Sequence, residues 1–532
     1  MALKTMRMLR RQAAILAAFL LLAALPAAQA AKLDLATATI PELQAAMQKG
    51  TLSSEKLMQL YLARIKAYDQ QGPKLNAIIL LSKDPLADAR AMDAERKAKG
   101  PRGPLHGIPI LVKDVYDVAG LPTAGGFKPM ANSFPAHDAF VIAKLRAAGA
   151  IVFGKLNQSD WFGVAPRAGS TLAGQVHNPY DLTRIPGSSS SGTGAAVASW
   201  FCAAGLGSDT GGSVQTPSSD SNLYGMVATR GAISRTGQIA SSVTQERAGP
   251  IARSMTDLAI MLTTMVGFDA EDLVTRDGLG RLPAEPYTSF LKKDALNGAR
   301  IGVLRSLFRG GQEFAEGYRL ADESLARLKG AGAVLVDPVG VDFDLVKALN
   351  DSGVSMYERK PTHNWYLSRL PVDAPIHSVD EMIAKAGDIV VPAIKESAAL
   401  PPLDHYAPYL ARLKQQEMIR NALIALMDRY QLDALVYPYK TSPPAKIVGA
   451  DVGRAPDETA AGSANISANT GLPALVAPMG LTSDGLPIGL ELLGRPFSEP
   501  ALIGFGYAYE QASPARRPPP TVPALPGEAF TE

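Results

Sequence analysis

Clustered serines, turn glycines and one oddly placed lysine point to chemistry at a carbonyl. Residues 185–217 read IPGSSSSGTGAAVASWFCAAGLGSDTGGSVQTP. Two serine-bearing turns, Ser188 to Ser191 and the one ending at Ser213, flank a small-residue helix that would bring their hydroxyls to one spot. Serine and glycine tracts are ordinarily linkers, but the intervening AAVASWFCAAGL has core composition. A serine hydroxyl is a weak nucleophile at its own pKa and must hand its proton to a base. Lys113 follows the strand-like run Ile108, Ile110, Leu111 and Val112 without a break. A lysine so placed either snorkels from an edge strand or keeps its amine with a buried partner. Burial favours the neutral amine, which is a base. The turn Asp209-Thr210-Gly211-Gly212-Ser213 offers backbone N–H groups that side chains do not crowd, a means of binding an oxyanion.

Other chemistries find less support. The six histidines are scattered, with no HExxH and no CxxC, so neither a metal nor another cofactor is expected. The G-x-S-x-G elbow and the lysine of a phosphate-binding loop are both missing. The single cysteine, Cys202, sits among apolar residues and reads as a small buried hydrophobe.

The elements that must position these groups alternate between helix and strand. Thr39-Ile40-Pro41-Glu42 has the capping-box layout, and Ser53 caps a second helix. Strands are expected near 76–81, 108–112, 150–154, 300–305, 333–336, 433–437, 475–477 and 488–493. Helices are expected near 84–99, 139–148, 254–266 and 313–330, with 340–430 mostly helical. Residues 231–253 are turn-rich and read as surface loops laid over the site, and the Pro-rich tail from Ala512 reads as extended on the surface. No linker splits the chain, so one domain, 31–532, is expected.

Residues 1–30 stand apart. Lys4, Arg7, Arg10 and Arg11 precede an apolar run from Ala13 to Leu25, and Ala28-Gln29-Ala30 follows. This is the layout of a secretory signal peptide cleaved after Ala30, its apolar run short of the about 20 residues of a membrane span. The mature protein is then expected in the periplasm or secreted, without a stable membrane anchor. Adjacent Arg10 and Arg11 also allow a twin-arginine route. The net charge of +3 on 532 residues, with no basic run interleaved with aromatics, argues against a nucleic-acid partner.

Lys113 in GIPILVKD, the run GSSSSGTGAAVA and the turn GSDTGGSVQTP resemble the amidase signature family. So do GKLNQSDW at 154–161, RGAISRTGQ at 230–238, AGPIARS at 248–254 and GLPALVAPMGLTSDGLPIGLELLGRPFSE at 471–499. The resemblance spans most of residues 33–512. It implies an α/β, single-domain amidase-signature fold, with a central mixed twisted β-sheet covered by helices on both faces. It also implies a Ser–cis-Ser–Lys triad with Ser213 as nucleophile, Lys113 as base and the bridging serine within 188–191. The family's typical Gly-Gly-Ser-Ser-Gly-Gly is here Gly187-Ser188-Ser189-Ser190-Ser191-Gly192. Aligning the Pro-Gly start and the following helix puts the bridge at Ser189, with Ser188 and Ser190 as the neighbouring registers. Ser190 then stands beside the bridge and Asp209 orients the turn. The N–H groups of Thr210, Gly211, Gly212 and Ser213 form the oxyanion hole. Val214-Gln215 stands where the family often has Ile-Arg, which removes a guanidinium from the neighbourhood of Asp209.

The reaction so implied is cleavage of a carboxylic amide C–N bond through an acyl-serine, by a monomer or homodimer acting on a small-molecule or peptide amide. The ending at 498–519 is similar to that of secreted peptide amidases, while other exported members act on aryl or aliphatic amides. An esterase or carbamate hydrolase, and an inactive amide-binding protein, are the alternatives. Glutamine-dependent transamidation fits poorly with an exported chain. Tyr357, Trp365 and Tyr366 are candidate walls of the acyl pocket.

Overall fold

Local signals set the first elements. Thr39 caps the helix Ile40–Lys49 with both bonds of the capping box, and Ser53 caps Ser54–Arg64 through the Lys56 N–H. The computed structural model describes residues 32–163, 168–447, 465–514 and 516–531. The expected signal peptide, residues 1–30, lies outside the described residues.

In chain order the first strands are β1 (Lys32–Asp34), β2 (Ile78–Leu81), β3 (Pro109–Lys113), β4 (Ile151–Leu156), β5 (Gly169–Ser170), β6 (Gly174–Gln175), β7 (Ala204–Asp209) and β8 (Tyr224–Val227). There follow β9 (Arg247–Ala252), β10 (Arg300–Val303), β11 (Val334–Val336), β12 (Ala434–Pro438), β13 (Ala474–Leu481), β14 (Pro487–Leu493) and β15 (Ala529–Thr531). Eleven of these make one sheet in the order β11-β10-β12-β14-β13-β8-β9-β7-β3-β4-β2. Pairing is parallel for β3 with β4 and β7, and for β10 with β11 and β12. It is antiparallel elsewhere in the sheet, so the sheet is mixed as expected. Every residue of β3, β4, β7, β8 and β9 is buried. A strand without an exposed face must be covered on both sides, which here is done by helices.

Three expectations need correction. Residues 231–253 are not all surface loop, because 247–252 form β9, a central strand between β7 and β8. Gly249 and Pro250 hid it, since proline seldom sits inside a sheet. The ladder from β8 stops at Ile251, so Pro250 lies where that ladder ends. The stretch AGLGSD, read as the end of the apolar segment and the start of the glycine turn, is β7. The tail is not laid loosely on the surface either. β15 pairs with β1, Val522 is buried, and Glu528 makes a buried ion pair with Arg64 at 2.8 Å. The Arg64 guanidinium also donates to the carbonyls of Ser199, Val522 and Pro523 and lies 3.7 Å from the Trp200 ring centroid.

Candidate active site

Parallel neighbours β3 and β7 end side by side, so their last residues, Lys113 and Asp209, emerge at the same end of the strands in the sheet's interior. The carboxyl ends of parallel strands are where α/β folds place ligands. Lys113 is fully buried, and its Nζ donates to Ser189 Oγ at 2.6 Å and to Ser208 Oγ at 3.0 Å. A second buried lysine shows what is unusual here. Lys155, opposite Val112 on β4, has a carboxylate partner, Asp114 Oδ1, at 3.0 Å. Among the described residues Lys113 donates only to hydroxyls. Burial therefore lowers its pKa to about 7, against a smaller upward pull from the charges of Glu246 and Asp209. The Phe162 ring lies over the amine with its centroid 5.0 Å away. Trp161 and Phe162 both hold left-handed backbone angles, φ 38° and 63°, conformations kept only where the surroundings enforce them.

The serine loop reaches the lysine from the other side. The Ser188–Ser189 peptide bond is cis, and the Ser189 carbonyl accepts from the Ser159 N–H at 3.2 Å. Of the four serines it is Ser189 that meets Lys113, while Ser190 Oγ bonds both the N–H and the carbonyl of Ser208 at 3.3 Å. Helix Ser191–Ala198 then begins at a place with no room for side chains. A Cβ on Gly192 would lie 2.3 Å from the Ala77 carbonyl and 2.6 Å from the Asn157 nitrogen.

The second turn is stapled by Asp209. Its Oδ1 accepts from Gly212 N–H at 2.8 Å, and its Oδ2 from Val214 N–H at 2.8 Å and Gln215 N–H at 3.4 Å. Gly212 has φ 97°, and a Cβ there would stand 2.3 Å from Tyr439 Oη. Of the four N–H groups expected to form an oxyanion hole, that of Gly212 is committed to Asp209. Thr210, Gly211 and Ser213 keep backbone N–H groups not tied to that carboxylate. Ser213, half-buried at the end of the turn, follows directly.

A family model described as Amidase matches residues 56–503. The chain belongs to the amidase family. A glutamyl-tRNA(Gln) amidotransferase subunit from Pseudomonas fluorescens is 33% identical over 485 residues, covering 89% of this chain and 96% of that protein. Among solved structures, the peptide amidase from Stenotrophomonas maltophilia superposes with a TM-score of 0.81 at 34% identity, covering 90% of this chain and 98% of that one. An amidase family protein from Bacillus anthracis gives 0.79 at 30% identity, covering 91% and 92%.

This amidase site also contains groups that sequence reasoning missed. Ser208, one residue before Asp209, is the second acceptor of the lysine. Glu246 is buried and accepts from the Thr210 hydroxyl, from Gln238 Nε2 at 3.0 Å and from the Ser241 N–H at 3.2 Å. Its pKa is raised by burial, against the lowering pull of the Thr210 hydroxyl and Lys113. No spacing in the sequence marks it; only the antiparallel register of β7 and β9 brings it to Thr210. The guanidinium missing at Gln215 has a counterpart on the adjacent strand. Arg247 lies opposite Asp209 in register, and the Asp209 charge partly offsets the burial that lowers its pKa to about 10. Of the aromatic candidates, Tyr357 and Tyr366 are buried, whereas Trp365 faces solvent under the Arg369 guanidinium. Tyr366 is spent on Asp117, to which it donates at 2.7 Å. The ring over the lysine is instead Phe162.

Proposed function

We propose that this protein hydrolyses carboxylic amides through an acyl-enzyme on Ser213. The observation that carries the reading is an amine buried among hydroxyls, Lys113 Nζ at 2.6 Å from Ser189 Oγ, with no carboxylate in contact among the described residues. Neutral Lys113 takes the proton of Ser189, which takes that of Ser213 as its oxygen attacks the carbonyl. The tetrahedral oxyanion is met by N–H groups of Thr210, Gly211 and Ser213. The same relay returns a proton to the leaving nitrogen, the amine departs, and water cleaves the acyl-serine by the reverse path. Peptide C-terminal amides and small aryl or aliphatic amides are the substrates to try first. The peptide amidase likeness supports the former. Residues 1–30 act as an export signal, so the mature chain begins at Ala31 outside the cytoplasm. An N-terminus other than Ala31 on the protein recovered from the periplasm or medium would remove that part of the reading.

A fluorophosphonate probe should label the wild type at Ser213 and leave Ser213→Ala unlabelled. Labelled protein that cleaves esters but no amide would move the assignment to the esterase alternative, and unlabelled protein would leave an amide-binding one. The glutamyl-tRNA(Gln) amidotransferase relatives support a second reading, in which ammonia released from glutamine is passed to a partner. Turnover of glutamine by the chain alone, compared with simple amides, separates the two.

A further inference from the structure

An N–H stabilises an oxyanion only if its peptide plane is held still. A trans peptide points its N–H and its carbonyl in opposite directions, so fixing one aims the other. The Ser213 N–H shares its plane with the Gly212 carbonyl, which accepts the Thr216 N–H at 2.7 Å as the following helix begins. The Gly211 N–H shares its plane with the Thr210 carbonyl, which lies past the end of β7. That carbonyl accepts from a side chain, Gln245 Nε2, at 3.3 Å. Packing does little there. Among the described residues a Cβ on Gly211 would meet one atom within 4 Å, Asn465 Nδ2 at 3.7 Å.

Gln245 is 3% exposed, and its amide is fully used. Oε1 accepts the N–H groups of Val354 and Ser355, both at 2.9 Å, where helix Ser355–Leu367 starts without a side-chain cap from Val354. Nε2 must then face acceptors, and it donates to Asn469 Oδ1 at 2.7 Å as well as to the Thr210 carbonyl. Asn469 is oriented in turn, because its Nδ2 donates to the Leu349 carbonyl at 2.9 Å and to Ser352 Oγ at 2.8 Å. An amide with both donors and both lone pairs engaged in a buried network has a single orientation.

We propose that Gln245 is a positioning residue for the oxyanion hole, holding the Thr210 carbonyl so that the Gly211 N–H faces the carbonyl under attack. This role deepens, and rests on, the reading of Ser213 as nucleophile. It differs from that of Glu246, which holds the Thr210 hydroxyl rather than a backbone group.

The test reads the rate at which an alkyl fluorophosphonate labels Ser213. Its phosphoryl oxygen takes the oxyanion position as Ser213 Oγ bonds phosphorus, fluoride leaves and the hydroxyl proton passes through Ser189 to Lys113. Loss of a whole oxyanion donor costs about 10²–10³ in rate. Gln245→Met keeps the donor but frees its plane, and should slow labelling about tenfold or more on the alkaline plateau. The acid limb of the labelling profile should stay in place, since the Lys113 relay is untouched. A limb that moves together with the rate would mark general loosening of the site and overturn the role. Gln245→Glu keeps an acceptor for Val354 and Ser355 but, ionised on that plateau, has no donor for the Thr210 carbonyl, so it should be slowed at least as much. A wild-type rate in either variant overturns the role; in Gln245→Glu it would leave Gln245 only a cap for the helix. Loss of cooperative melting in both variants overturns it too, since Gln245 would then be a brace of the fold. Absence of labelling in the wild type is the separate failure of the Ser213 reading, and takes the role with it.

Discussion

At the scale of single residues, the site turns on keeping one amine uncharged. Lys113 titrates at about 7 in the fold against 10.5 for a free lysine, so activity should rise with pH through about 7. A rate profile that stays level from acid to neutral pH would count against the lysine as base. Lys113→Ala should lose about 10²–10⁴-fold in kcat, the range of a general base, with the fold intact by circular dichroism. The same shift bears on stability. Between pH 7 and 10.5 the unfolded chain holds a proton on Lys113 that the folded chain has released, so stability rises with pH across that window. Lys113→Met removes this rise and should be more stable than wild type at pH 7 and below, measured as urea midpoints. Higher stability with lost activity is the pattern of a buried ionisable group kept for its chemistry.

At the scale of elements, adjacent strands set the electrostatics. β9 pairs with β7 so that Arg247 opposes Asp209, and Glu246, one residue earlier, reaches Thr210 at the mouth of the turn. The Glu246 charge pulls the Lys113 pKa upward against burial. Glu246→Gln removes that pull, so the acid limb of the rate profile should move to lower pH. A limb that stays in place, in a variant melting like wild type, would show that Glu246 acts only as a brace for Thr210. The turn itself is held by backbone geometry. Gly212→Ala puts a Cβ at a positive φ and against Tyr439 Oη, and should lower kcat far more than it raises KM. The measurement is steady-state kinetics on one amide, with melting temperature as control.

At the scale of the molecule, the two ends of the described chain are tied together beside the first helices. β1 pairs with β15, and Arg64 reaches from the end of its helix to Glu528. Arg64→Met leaves Glu528 buried without its cation and should cost about 3–5 kcal/mol in urea unfolding. Adding Glu528→Gln should recover a large share, since the penalty lies in the stranded charge rather than in the lost attraction. Among the described residues no helix is long and apolar enough to cross a membrane.

The sequence by itself determined the α/β alternation, the capped helices and the serine, lysine and glycine groups of the site. Each of these is written in neighbouring residues, as periodicity, a cap or a motif. Lys113 at the end of an apolar run left its amine either snorkelling to water or buried with a partner, and the order of motifs implied the family. The alignment of motifs already pointed to Ser189, and the tertiary structure alone decided that Lys113 is buried against it and that Ser208 and Glu246 belong to the site. It also turned 247–252 into a central strand and gave the tail a buried anchor. Such facts depend on register between strands far apart in the chain, and no local spacing encodes which residue a neighbouring strand will place opposite.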